Sequence, residues 1–75
     1  MKEKEVKEAI KEAYEKVFGI EIPKDHLEEL YLEWERVRDT MIEKGLPKEN
    51  AEQIALETIK ARITLEKLRL ERGVY

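Results

Sequence analysis

Cysteine and serine are absent from this 75-residue chain, and histidine occurs once, at His26. Without thiols or serine hydroxyls, the usual activated nucleophiles are missing. The lack of cysteine also rules out a disulfide or a thiolate-bound metal as a staple. A single histidine excludes a two-histidine metal site within one chain. His26 and Glu29 stand one turn apart, but the di-iron bundle motif places Glu three residues before His, where this chain has Pro23. A protein metal site needs three or four ligands, so no metal is expected, and His26 reads as a surface or capping residue. Glycine is scarce, and Gly19, Gly45 and Gly73 each fall at a predicted helix end. No glycine-rich loop remains to cradle phosphate. Paired carboxylates such as Glu28 and Glu29 have no apolar pocket to raise a pKa. Long apolar runs are also lacking, so neither a signal peptide nor a membrane span is expected, and the cytoplasm is the default location. Together these absences predict a non-enzyme with no catalytic residues, no cofactor, no small-molecule ligand and no membrane partner.

What is abundant is charge: 44% of the residues, with 15 basic against 18 acidic and a net charge of -3. That balance disfavours a general binder of nucleic acid or anionic membrane, both of which call for a basic surplus. Glutamate and lysine dominate. Two origins fit such a composition, a hyperthermophile protein rich in ion pairs and a de novo designed bundle filled with strong helix formers; either predicts a thermostable chain. Seventy-five residues make one domain near the lower limit for a single unaided core, so regular helix packing or self-association must supply stability.

Three helices are predicted. The first spans 2–18, with Val6, Ala9, Ile10, Ala13, Tyr14 and Val17 on one stripe and Gly19 as its left-handed stop. Ile20 and Ile22 follow, two apart, and both are expected to plug the end of the core. The second helix spans 25–44, opening on a capping box of Asp25 and Glu28. Its core face carries Leu27, Leu30, Tyr31, Trp34, Val37, Met41 and Ile42. Leu32 points away from that face, while Arg38 lies within it and is expected to snorkel past the core end. The third helix spans 48–72, with Pro47 suited to its first position and Asn50 with Gln53 as an alternative capping pair. Gly73 ends it, leaving Val74 and Tyr75 as a tail. Short connections imply antiparallel neighbours, hence an all-α, up-down-up three-helix bundle.

The third helix is unusual in bearing two apolar seams. At about 100° per residue, Ile54, Thr58, Ala61, Leu65 and Leu68 share one side, and Leu56, Ile59, Ile63 and Leu70 lie nearly opposite. A surface helix needs one stripe; a second calls for a partner. Alanine and threonine on the Ile54–Leu68 seam allow close approach, so that seam is expected inside. Leu56, Ile59, Ile63 and Leu70 would then face outward near Leu32, forming the patch for an antiparallel homodimer centred near Ile59 and Ile63. The expected function is a protein-interaction or regulatory module that self-associates through its third helix.

The alternative is a nucleic-acid-associated regulator using Lys60, Arg62, Lys67, Arg69 and Arg72, which crowd the end of that helix. These residues spread around the helix instead of lining one side, and no cluster of Asn, Gln or Ser is available to read base edges.

The segment from Glu49 to Lys60 resembles the ChaB-like family of small helical proteins, which carry the form E-x-A-H-x-V-A-W-x-x-V-K. Glu49, Ala51, Ala55 and Lys60 match it, and Ile54 and Ile59 are conservative, while Glu52 and Leu56 replace the His and Trp of the pattern. Upstream, Ile22-Pro23, His26 and Tyr31 look like that family's Leu-Pro, His and Tyr, with the spacing displaced by one. The resemblance implies a small cytoplasmic regulator, in a family described as regulators of cation transport, and supplies no catalytic residue.

Overall fold

In the computed structural model, which describes residues 1–73, the chain forms α1 (Glu3–Phe18), α2 (Lys24–Glu43) and α3 (Lys48–Arg72). All three pack against one another, with α3 lying most extensively on α2, in an all-α three-helix bundle of 38 × 25 × 18 Å. The tail at Val74 and Tyr75 lies outside the described residues.

The helix ends follow backbone logic more than side-chain capping. Gly19 adopts φ 73°, and its N–H donates to the Glu15 carbonyl at 2.7 Å, closing α1 as a left-handed glycine does. At the start of α1 the Lys2 N–H donates to the Glu5 carboxylate at 3.0 Å. The capping box at Asp25 does not form: Pro23 is the cap of α2 and Asp25 already lies in its first turn. Proline's fixed φ favours this earlier start, because the residue contributes a carbonyl to the helix without an orphan N–H. The same occurs at α3, where Pro47 is the cap and not the first helical residue. Its carbonyl accepts from the Ala51 N–H at 3.0 Å, and Asn50 falls inside the first turn.

The core draws Val6, Ile10 and Tyr14 from α1, Leu27, Leu30, Tyr31 and Trp34 from α2, and Ala55, Leu56, Ile59 and Ile63 from α3. Ile22 in the first connection is buried against it, but Ile20 is exposed. Residues spaced by two share a face only in a regular extended strand, and the bend at Gly19 and Ile20 breaks that alternation before Ile22. Trp34 is the centre of this packing. It is fully buried, its indole N–H donates to the Glu52 backbone carbonyl at 3.2 Å, and its ring stacks on Tyr31 at 5.6 Å. Arg38 covers its other side, with the guanidinium carbon 4.9 Å from the Trp34 ring centroid, and pairs with Asp39 at 2.9 Å and Glu35 at 4.0 Å. The long side chain thus lies over Trp34, the last buried residue of α2, and keeps its charged head with two solvent-accessible carboxylates. Lys7 ties α1 to α2 by reaching Glu3 at 2.7 Å and Glu28 at 2.8 Å.

Candidate association interface

The two seams of α3 have the reverse of the expected orientation. Leu56, Ile59 and Ile63, expected on an outer interface, are buried in the core. The Ile54–Leu68 seam faces solvent, with Ile54 40%, Leu65 53% and Leu68 43% exposed. The reason lies in volume and position. Leu56, Ile59 and Ile63 put three large aliphatics at the middle of the bundle, where α1 and α2 both cover them. The other seam has only Thr58 and Ala61 at the same level. Burying the larger set removes more apolar surface from water, at about 25 cal/mol per Å².

The small residues that permit close approach are Ala51 and Ala55, both fully buried. They flank the turn at which the Trp34 indole meets the α3 backbone. Between them Glu52 is also buried, and its carboxylate accepts from the Met1 ammonium at 2.7 Å. Ala51 and Ala55 are two of the four identities with the ChaB-like pattern, so packing alone gives a reason for them.

The remaining candidates are scattered. Leu32 is 57% exposed on the outside of α2. Leu70 shares the azimuth of Ile59 and Ile63 yet is 68% exposed, because no α3 residue beyond Ile63 belongs to the core. By azimuth neither lies on the exposed seam. Of the basic residues, Arg62 is paired with Glu33 of α2, and Lys60 lies 3.8 Å from Glu57. By the helical repeat, Arg62, Arg69 and Arg72 share one side of α3 around Leu65, while Lys60 and Lys67 lie on the opposite side.

The exposed seam is therefore the coherent surface. Thr58 belongs to it as an apolar residue: its hydroxyl donates to the Ile54 carbonyl at 2.8 Å, which leaves the methyl group to the surface. Shallow recesses lie on both sides of Leu65, one lined by Arg62, Leu65, Glu66 and Arg69, the other by Leu65, Leu68, Arg69 and Arg72.

His26 sits nearby on α2 and is more enclosed than a surface residue. Its ring meets Tyr14 edge-on at 5.7 Å, Nδ1 lies 3.7 Å from Glu29, and Nε2 is shielded from solvent 3.6 Å from the Glu66 carboxylate. The two carboxylates approach opposite nitrogens, so they do not converge on a metal. Among the described residues, no group of three His, Cys, Asp or Glu side chains is placed to hold one. No described helix is long and apolar enough to cross a membrane.

Burial, with Glu35 and Glu3 nearby, pushes the Tyr31 hydroxyl above its ordinary pKa. The Asp39 carboxylate bonded to Arg38 holds that guanidinium charged. Both shifts belong to the roof and edge of the core and not to a reactive cleft.

Comparisons with protein families, with curated proteins and with solved structures found no match for this chain.

Proposed function

We propose that this protein is a non-enzymatic association module that self-associates through the outer seam of α3. The observation carrying this reading is the row Ile54, Thr58, Ala61, Leu65 and Leu68, an apolar stripe left uncovered on a helix whose opposite stripe already fills the core. Contiguous exposed apolar surface of a few hundred Å² on a soluble domain marks interaction sites. The chain's charge balance keeps it soluble while leaving that stripe clear. The ChaB-like resemblance lends the module a regulatory cast, acting by contact and not by chemistry.

Sedimentation velocity over a wide concentration range tests this. The wild type should rise from 9.0 kDa towards twice that mass. A Leu65→Glu/Leu68→Glu variant should stay monomeric with its helicity intact. The pair Ile59→Glu/Ile63→Glu should unfold instead, since it places charges in the core. A wild type that remains monomeric throughout would overturn the reading.

A further inference from the structure

We infer that the occupant of the α3 seam is a second copy of this chain lying parallel and in register. This inference rests on the association reading above and adds the partner's orientation and the ion pair that sets it.

Ile54, Thr58, Ala61, Leu65, Leu68 and Arg72 are separated alternately by four and three residues. That is the 3.5-residue repeat of a coiled-coil seam. Ile54, Ala61 and Leu68 form one of its two core sets, and Thr58, Leu65 and Arg72 the other. The edges of the stripe differ in charge. The residues directly following the first set are Ala55, Arg62 and Arg69; those directly preceding the second are Glu57, Thr64 and Glu71. The basic edge faces α2, where Arg62 meets Glu33. The acidic edge lies on the α1 side.

Orientation follows from this asymmetry. In a parallel two-stranded pair, the residue before one core position faces the residue five further along on the other helix. Glu57 then meets Arg62 of the second copy, and the two-fold axis repeats the contact. An antiparallel pair instead sets acidic edge against acidic edge and basic against basic, and like charges at these edges select against it. The guanidinium has five donors, so Arg62 can keep Glu33 and still reach Glu57 of its mate. Sterically the arrangement is open: α1 and α2 both pack on the inner side of α3, so the two bundles fall on opposite sides of the new seam. Arg72 closes the stripe with a charge and limits the paired length to Ile54–Leu68, roughly 21 Å at 1.5 Å per residue.

The absence of cysteine makes the test direct. Ile54→Cys and Leu68→Cys, made as separate single variants, place thiols at the two ends of the stripe. In the parallel arrangement each variant oxidises to a dimer with itself, because equivalent positions face each other within disulfide reach. In an antiparallel arrangement neither does so alone, and only a mixture of the two cross-links. That result would overturn the parallel inference while leaving self-association standing. No cross-link in any sample, with a monomeric wild-type mass, would overturn both. As a check on the ion pair, Glu57→Arg should weaken dimerisation roughly threefold to tenfold, as expected for two exposed charge pairs turned repulsive. Unchanged or tighter dimerisation would refute the Glu57–Arg62 contact.

Discussion

Removing the Trp34 side chain is the most informative single perturbation of this fold. The ring is fully buried, and it is touched by Tyr31 and roofed by Arg38. Trp34→Ala therefore loses the transfer free energy of a large aromatic and leaves a cavity between α2 and α3, a cost of about 3–5 kcal/mol. A domain of this size has a total stability of roughly 4–11 kcal/mol, so the substitution removes a large share of it. At about 4–8 °C per kcal/mol for a domain of this size, the thermal midpoint should fall by roughly 12–40 °C. Trp34→Phe separates the contributions. It keeps most of the apolar ring and loses the N–H bond to the Glu52 carbonyl. That carbonyl still has its place in the helix ladder, so the cost should be only about 1–2 kcal/mol. Thermal and urea melts followed by far-UV circular dichroism, at one fixed protein concentration, measure both. If Trp34→Ala melted within about 5 °C of the wild type, equivalent to roughly 1 kcal/mol, the indole could not be the centre of the core.

The remaining predictions concern groups at the margin of that core. Because the folded Tyr31 pKa is raised mainly by burial, the fold holds this proton more tightly than the unfolded chain does. Stability should be unaffected below about pH 10, the ordinary tyrosine range, and should decline as pH rises beyond it. Ultraviolet titration of wild type minus Tyr31→Phe should show a phenol ionising above pH 10; a component ionising at or below that value would contradict the burial described. His26→Ala should cost about 1 kcal/mol, since it removes a half-enclosed ring and its edge contact with Tyr14. A chelator should leave the midpoint unchanged; a drop on adding chelator would reveal a metal, and a midpoint unmoved by the substitution would mean the ring is loose in solvent.

The sequence revealed the three helices because their apolar stripes and glycine stops are strong local signals. It also placed Trp34 correctly, at the middle of a one-sided stripe on α2. The orientation of α3 was harder to read, because both of its seams repeat with helical spacing and differ only in which residues meet the thick part of the bundle. Ala61 and Thr58 suggested close approach, yet the alanines that allow it are Ala51 and Ala55, a turn or two earlier. Both stand beside the turn that Trp34 reaches from α2, a tertiary contact that spacing along one helix does not encode. The enclosure of His26 was illegible for a different reason, since it depends on Tyr14 and Glu66 from two other helices. At the start of α2 the proline two residues before Asp25 outweighs the side-chain capping pattern, because its fixed φ sets the helix start earlier.

Beyond Ile63, α3 keeps its backbone ladder but has no core residue beneath it. Local opening free energies follow buried apolar contact. Amide exchange along this one helix should therefore be graded, slow at Ile59 and Ile63 and rapid near Leu70. The outer seam runs through this weakly held stretch at Leu65 and Leu68, so covering it with a partner would stabilise turns that the monomer holds only lightly. Binding restricted to the ordered form adds its free energy to that order. The last turns of α3 would thus be a segment whose own stability rises with protein concentration, folding and assembly being linked at one end of one helix.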